Sequence, residues 1–210
     1  MIYLGIDPSF TKTGAVYIDT EERTIKFVCV SPPGSNVNYK MMINRSAFIS
    51  IELIEHLCLN KDTKLVIEEP LVRSLKASAL GILSATTAWA FVSIASVKEM
   101  YSINPSYVNS LHTVLAKQLN LGKKQTSKYV AGEIVKYFEE SKGYKVIVHN
   151  DKKLRDGTMK KRVLSHDEAE AFILALTLMR LDNSLSTEDL GAIYTINPKF
   201  ARVVSLNRFK

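Results

Sequence analysis

The sequence predicts an α/β protein, in which helices flank a mixed β-sheet. Three short apolar segments separated by polar turns open the chain, which is typical of an antiparallel meander. Segments with the spacing of amphipathic helices then alternate with further short apolar runs. An apolar helical segment with an acidic first turn closes the pattern near residue 182. These three observations together favour helices packed on a sheet of mixed strand direction.

The first three strands are predicted at residues 2–7, 14–19 and 24–30. The segment IYLGID is apolar up to a final carboxylate, and the residues PSFTKTG after it are typical of a turn. The polar turn at 20–23 is too short for a crossover connection, so the strands on either side of it should be antiparallel neighbours.

The rest of the chain predicts alternating helices and strands. Residues 39–58 carry apolar side chains at helical spacing, and residues 63–70 form a short apolar strand that ends in two acids and a proline. The remaining predicted elements are a helix over 72–98, a strand at 101–105, helices over 106–119 and 126–141, a strand at 144–150, a charged loop or mobile hairpin at 151–164, and a helix over 166–182. Residues 1–182 are expected to form a single domain, and 183–210 an irregular basic extension.

The composition is that of an ordinary globular protein. The 210 residues are 46% hydrophobic and 23% charged, which argues against a disordered or collagen-like chain. The two cysteines, Cys29 and Cys58, are too few for a disulfide framework or a four-cysteine zinc site. Because both lie in apolar surroundings, we expect buried thiols in a reducing compartment.

One stretch, residues 77–97, has no charged residue and is about long enough to cross a bilayer. It is rich in serine, threonine and alanine, so a helix packed closely between layers, or against a second subunit, is the preferred interpretation. The opening residues lack the features of a secretory signal. We expect no membrane association and a cytoplasmic location, in the host cytoplasm for a viral protein, with an organelle matrix as the alternative.

Positive charge is concentrated in three segments of a chain whose net charge is +7. Residues 117–128 carry four lysines and no acid, residues 142–162 carry eight basic residues and two acids, and the last twelve residues carry four basic residues and no acid. Such clusters are typical of a protein with a polyanionic partner, most often nucleic acid. The alternative is that they are solvated surfaces without a partner.

Four acids stand where a carboxylate is costly. Asp7 and Glu68 end apolar strands, and Asp167 and Glu170 share one face at the start of the last helix. Each alone could be a cap or a member of an ion pair. Gathered at one sheet edge, they would raise one another's pKa unless cations lay between them. All-oxygen ligands favour Mg²⁺ or Mn²⁺ over zinc.

Three segments, in this order, resemble the motifs of RuvC-type Holliday-junction resolvases. LGIDPSFTKTG resembles the first-strand motif, VIEEP the central-strand acid, and HDEAEAFILAL the final motif of two acids three residues apart. The resemblance implies an RNase H-like mixed five-stranded sheet of three antiparallel strands followed by parallel ones. It also implies that two Mg²⁺ ions per site, for which Mn²⁺ could substitute, are held by Asp7, Glu68, Asp167 and Glu170.

The sequence departs from the family pattern at several positions. Glu170 stands where an aspartate is more usual, and His166 precedes the acidic pair as a further ligand, a proton carrier or a surface residue. Glu69 follows Glu68 directly, but strand alternation turns only one of them towards the site, and the strand pattern favours Glu68. The segment 142–164 is longer and more basic than in bacterial members, which resembles a viral or organellar branch.

Basic residues are the predicted contacts to DNA phosphates. Relatives carry phosphate-contacting lysines near the turn after residue 117, and the basic segment at 142–162 could extend the binding track. Tyr107 and Tyr129 are either candidates for stacking on unpaired bases or ordinary packing residues. The predicted DNA-binding set is Lys117, Lys123, Lys124, Lys128, Lys152, Lys153, Lys160, Lys161 and Arg162.

The resemblance implies a Mg²⁺-dependent endodeoxyribonuclease that resolves four-way DNA junctions. Two-metal hydrolysis would make paired symmetric nicks that leave 5′-phosphate and 3′-hydroxyl ends. A homodimer, with the helix at 72–98 as its candidate interface, would match the two-fold symmetry of a junction.

Three alternatives stay open. One is a broader debranching nuclease that acts on forks and flaps. Another is an actin-like ATPase, because the segment from Asp7 to Gly14 also resembles a phosphate-binding hairpin. The third is a junction-binding protein without catalytic activity.

Overall fold

The computed structural model of the chain describes residues 1–8, 12–31, 39–57, 59, 62–68, 97, 99–103, 127–149, 152–153, 159–160, 164–182, 184 and 204–205. The strands are β1 (Ile2–Asp7), β2 (Thr13–Asp19), β3 (Thr24–Val30), β4 (Thr63–Glu68), β5 (Glu99–Ile103), β6 (Lys145–Val148), β7 (Lys152–Lys153), β8 (Met159–Lys160) and β9 (Val204–Ser205). The helices are α1 (Tyr39–His56), α2 (Ser127–Lys142) and α3 (His166–Leu181).

The main sheet has the strand order β6-β3-β2-β1-β4-β5-β9. Strands β1, β2 and β3 form the expected antiparallel meander, whereas β4 pairs parallel with β1 and β5 pairs parallel with β4. The predicted fold class, a mixed sheet flanked by helices, is therefore confirmed.

The sheet has seven strands rather than the expected five. The two additional strands lie at its edges, where β6 pairs parallel with β3 and β9 pairs antiparallel with β5. β9 is a strand of only two residues within 183–210, which we expected to be irregular. Its pairing depends on the exposed edge of β5, a tertiary contact that a local sequence pattern does not contain.

The helices and strands end within about two residues of the predicted positions; β5, for example, begins at Glu99 rather than at residue 101. The segment predicted as a loop or hairpin at 151–164 contains β7 and β8, which pair antiparallel in a separate sheet. The predicted helices at 72–98, apart from Val97, and at 106–119 lie outside the described residues. Among the helices that are described, none is long and apolar enough to span a membrane.

Apolar side chains cover both faces of the sheet. On one face α2 and α3 pack over the strands, and the Phe172 ring lies 5.4 Å from that of Phe27 and 6.3 Å from that of Phe138. On the opposite face α1 buries Ile49 and Leu53 against the strands. A residue at the end of a strand thus faces one helical layer or the other according to its place in the alternation.

Strands β1, β3, β4, β5 and β6 run in one direction, so their ends meet at one edge, which we call the carboxyl edge. Helix α3 is fixed at the opposite edge through Asp182. The Lys64 Nζ atom lies 2.7 Å from Asp182 Oδ1, and the Tyr3 hydroxyl donates to Asp182 Oδ2 at 2.6 Å. Since Lys64 and Tyr3 lie near the starts of β4 and β1, helix α3 begins at the carboxyl edge.

Cys29 differs from expectation, because it is half-buried rather than buried. It lies near the end of β3, where the sheet gives way to the start of α3, and the Ser165 hydroxyl donates to its Sγ atom at 3.8 Å. The helical layer would bury a thiol in the middle of β3, but it covers Cys29 only in part. Cys58 lies outside the described residues.

Candidate metal centre

Three carboxylates meet at the carboxyl edge. Asp7 ends β1, Glu68 ends β4 and Glu170 lies in α3, and each offers one oxygen within 4.8 Å of the others. The strand register pairs Ile6 with Ile67, and both of these side chains pack on the α1 side of the sheet. Alternation therefore turns the next residues, Asp7 and Glu68, towards α3.

Glycines let α3 approach the sheet closely enough for Glu170 to reach the two strand acids. A Cβ atom at Gly5 would collide with the backbone carbonyl of Ala171, and one at Gly14 would collide with the backbone of Asp167 and Glu168. Gly14 is also the register partner of Asp7. The site therefore depends on a backbone-to-backbone approach that only glycine permits at these positions.

The start of α3 is fixed by a capping box. The Ser165 hydroxyl accepts a hydrogen bond from the Glu168 amide at 3.1 Å, and the Glu168 carboxylate accepts one from the Ser165 amide at 2.8 Å. Glu168 is fully buried. Its function was missed in the sequence, although a serine followed three residues later by a glutamate before an apolar run predicts such a cap.

Asp167 is the one predicted ligand outside this group of three oxygens. It is half-buried in the first turn of α3, where its backbone lies against Gly14. Its charge nevertheless contributes to raising the pKa of Asp7 and of Glu170. The structure therefore brings together Asp7, Glu68 and Glu170, and it leaves Asp167 beside them.

Burial and mutual repulsion raise the pKa values of all three clustered carboxyls. Burial, with the charges of Glu68, Glu170 and Asp167 added, raises the pKa of Asp7 to about 10. Burial and the charge of Glu170 raise the pKa of Glu68 to about 7, and burial also raises the pKa of Glu170. Ionising all three acids together is therefore costly unless a cation joins them.

This donor set fits a hard divalent cation. It consists of carboxylate oxygens only, which suits Mg²⁺ or Mn²⁺. A bound cation would also remove the repulsion that raises the three pKa values. The residues present therefore fit the metal that the resemblance implies.

His166, the first residue of α3, contacts the cluster from outside. Its Nε2 atom lies 3.0 Å from Glu170 Oε1, one helical turn further on. The His166 side chain is 59% exposed, whereas that of Glu170 is 18% exposed. A proton on the neighbouring imidazole would oppose the upward shift of the Glu170 pKa that burial produces.

One residue of the predicted DNA-binding set, Lys128, lies in a helix that begins towards the carboxyl edge. Helix α2 ends at Lys142, which lines one cavity with Met179 near the end of α3, so α2 begins towards the edge where α3 begins. Lys128 and Tyr129 are exposed in the first turn of α2, which excludes Tyr129 from the core.

The β7–β8 hairpin follows β6 and precedes α3, so both of its connections start from the carboxyl edge. Lys152 and Lys160 are register partners within it, and Lys153 is paired with Met159. The other predicted DNA-binding residues, together with Tyr107, lie outside the described residues: Lys117, Lys123, Lys124, Lys161 and Arg162.

A cavity of about 630 Å³ lies at the opposite edge of the sheet. It is lined by aromatic, hydroxyl and basic side chains, including Arg23, Lys142 and Tyr144, and by no acid, histidine or cysteine. Its walls therefore offer no carboxylate, imidazole or thiolate ligand, whereas the cluster at the carboxyl edge offers three carboxylates.

The mixed sheet has the strand arrangement of the RNase H-like fold, and the acidic cluster at its carboxyl edge is a candidate metal centre. Two solved structures with this fold are similar to the chain. For Thermus thermophilus RuvC in complex with a Holliday junction substrate, the identity is 17%, the TM-score is 0.53, and the match covers 88% of this chain and 96% of that one. For Thermus thermophilus RuvC, the identity is 18%, the TM-score is 0.52, and the match covers 97% and 100% of the two chains.

A third structure, that of the Fowlpox virus resolvase and substrate Holliday junction DNA complex, is 15% identical with a TM-score of 0.42 over 86% of this chain and 98% of that one. No protein-family model and no curated protein sequence matches the chain. The two RuvC structures establish that the fold of this chain is the RuvC fold.

Proposed function

We propose that this protein is a structure-selective endonuclease that resolves four-way DNA junctions. The observation that carries the proposal is the convergence of Asp7, Glu68 and Glu170 from three separate elements at the carboxyl edge of a RuvC-type sheet. His166 contacts only one of the three carboxylates, and a cluster of three buried or half-buried carboxylates is better suited to hold a divalent metal than to form a structural ion pair.

Asp7, Glu68 and Glu170 would hold Mg²⁺, or Mn²⁺ in its place, and Asp167 is the further ligand that a second ion would need. When bound, these ions supply a Lewis acid for the phosphate oxygens and lower the pKa of water, as in two-metal phosphodiester hydrolysis. The protein contributes a rigid frame, because β1 and β4 are central strands and the capping box fixes the start of α3.

The substrate would be bound by phosphate contacts around the carboxyl edge. Lys128 is exposed at the start of α2, and the basic β7–β8 hairpin leaves and rejoins the domain at the same edge. Such contacts give affinity and position without selecting a base sequence. A two-fold homodimer would place two such sites on strands of like polarity, and paired symmetric nicks leaving 5′-phosphate and 3′-hydroxyl ends would follow.

The test is cleavage of a synthetic four-way junction with each strand labelled in turn, over a titration of Mg²⁺. We expect nicks at symmetric positions on two opposing strands, dependent on Mg²⁺ or Mn²⁺. The variant Asp7→Asn should retain junction binding and lose nicking, because an amide is neutral and a poor ligand for a hard cation. Asp19→Asn, a matched change at the other end of the meander, should cut like the wild type.

Y-forks, flaps and linear duplexes in the same assay separate junction resolution from general debranching. Equal rates on forks and junctions would identify the broader nuclease instead. Binding of the junction without any nicking, at any concentration of Mg²⁺ or Mn²⁺, would leave a protein that only binds junctions. Normal cutting by Asp7→Asn would show that the carboxylate cluster is not the catalytic site.

A further inference from the structure

The contact between His166 and Glu170 is not explained by the stability of α3. A pair four residues apart supports a helix best when the acid precedes the base, and here the order is reversed. A protonated histidine in the first turn also faces the positive end of the helix dipole. The imidazole therefore gains little for the helix by lying 3.0 Å from Glu170 Oε1.

The contact has a clearer effect on the carboxylate. Glutamate has a long side chain, and ordering it costs conformational entropy when a ligand binds. An imidazole nitrogen 3.0 Å from one oxygen restrains that side chain and leaves acceptor capacity for a cation, because a carboxylate has two oxygens with several lone pairs. Groups that hold ligands in this way orient them and tune their affinity for the metal.

We propose that His166 is a positioning residue that holds the Glu170 carboxylate in the orientation in which it binds the divalent cation. The inference rests on the proposed function of the cluster. His166 acts through Glu170 rather than as a ligand, because among the described residues only the three carboxylates offer atoms within 4.8 Å of one another. Its largely exposed imidazole contacts Glu170 from the outside of the cluster.

The test is Mn²⁺ binding to the full-length protein without DNA, measured by isothermal titration calorimetry. His166→Ala should weaken Mn²⁺ binding about 10–100-fold, the effect expected when a residue that supports a metal ligand is removed. His166→Gln should bind Mn²⁺ within a few-fold of the wild type, because its amide supplies an N–H donor near the position of Nε2.

A matched control is available on α1. His56 also lies four residues from a glutamate, in the opposite order, with its Nε2 atom 3.7 Å from Glu52 Oε2, and it lies outside the cluster. His56→Ala should leave Mn²⁺ affinity unchanged. In the nicking assay, His166→Ala should raise the Mg²⁺ concentration needed for half-maximal cutting, and its rate at saturating Mg²⁺ should stay within a few-fold of the wild type.

The outcomes separate this proposal from the proposed function. A wild-type protein that binds no Mn²⁺ would overturn the metal centre itself. Wild-type binding with an unchanged affinity in His166→Ala would overturn the positioning role and leave the metal centre intact. Equal weakening in His166→Ala and His166→Gln would also overturn it, because a donor at that position would then not be sufficient.

Discussion

Asp7 lies within the candidate site, and burying its carboxyl group there lowers the stability of the metal-free protein. Its side chain is 5% exposed, and burial together with three neighbouring acids raises its pKa to about 10. Without metal, the folded protein therefore keeps a proton on Asp7 at neutral pH and shares it with Glu68 by a hydrogen bond. In the proposed function, this carboxyl group would serve metal binding at the expense of the stability of the metal-free protein.

Replacing this acid by its neutral amide should stabilise the metal-free protein. The pKa of Asp7 rises from 3.8 to about 10 on folding, so between these values the folded state binds more protons than the unfolded state. The free energy of unfolding then falls as pH rises through that window. Asp7→Asn should be more stable than the wild type by about 1–3 kcal/mol at neutral pH, with a flatter dependence on pH.

Thermal unfolding in EDTA, from about pH 5 to about pH 9, measures this difference. Asp182→Asn is a control for which we expect the opposite change, a loss of stability. Burial alone would raise the pKa of Asp182, but hydrogen bonds from Lys64 and Tyr3 lower it overall, so loss of this charge should destabilise the fold. A melting temperature for Asp7→Asn at or below that of the wild type across the whole range would contradict the assignment of Asp7 as a buried, protonated acid.

Two of the clustered acids could be found from the sequence because each ends an apolar strand, where the alternation fixes the direction of the side chain. The acids of α3 could not be separated in this way. Asp167, Glu168 and Glu170 all lie in its first two turns. Asp167 lies beside the cluster, Glu168 caps the helix, and Glu170 belongs to the cluster. Which acid reaches the site depends on the start and rotation of the helix, and these are set by packing against Gly5 and Gly14.

At the scale of the element, α3 is the part that completes the site, and Gly14 sets its distance from the sheet. Gly14→Ala should push the start of α3 away from β2, because the added methyl group meets backbone atoms that cannot rotate aside. We expect destabilisation of about 1–3 kcal/mol and a loss of Mn²⁺ affinity. Chemical denaturation and calorimetry of the same samples would measure the two effects.

Gly132→Ala is the matched control, since a methyl group at this position in α2 would meet no atom within 4 Å. It should leave Mn²⁺ binding unchanged and stabilise the helix by about 0.5–1 kcal/mol, because alanine loses less backbone entropy than glycine. If Gly14→Ala behaved like this control, the close approach of α3 to the sheet would not be what brings Glu170 to the strand acids.

The elements themselves were largely predictable, because apolar periodicity reports which side of each segment is buried. Helices α1, α2 and α3 and strands β1 to β6 appear close to the predicted positions. The edge strand β9 could not be foreseen, since two residues carry no periodicity and pair only because β5 offers an open edge. Local pattern thus predicts the longer strands, including the edge strand β6, and misses this strand of two residues.

At the scale of the whole molecule, the topology gathers the acids and part of the basic surface at one edge. Five strands end there, α2 and α3 begin there, and the β7–β8 hairpin is connected to it at both ends. Three acids meet inside the site, and Lys128 is exposed at the start of α2 on the same edge. A polyanionic strand can then be held by the lysines while a bound cation offsets the repulsion between its phosphates and the carboxylates.

The hairpin gives the last prediction. Lys152 and Lys160 are register partners in a basic segment whose connections to β6 and α3 start from the carboxyl edge. The double variant Lys152→Gln and Lys160→Gln should weaken junction binding. The slope of log K against the logarithm of salt concentration should become shallower by about 1–2, because each lysine that neutralises a phosphate contributes roughly one to that slope. The rate of nicking at saturating protein should be unchanged, because neither residue belongs to the cluster.

Lys136→Gln with Lys145→Gln removes the same charge from an exposed position in α2 and from the start of β6, away from the carboxyl edge. Binding by fluorescence anisotropy across a series of salt concentrations compares the two double variants. The general attraction of a basic protein for DNA would weaken equally in both, because it depends on net charge alone. An equal decrease in affinity would therefore exclude the hairpin from the DNA interface, whereas a decrease confined to the Lys152 and Lys160 variant would place the DNA against the edge that holds the carboxylates.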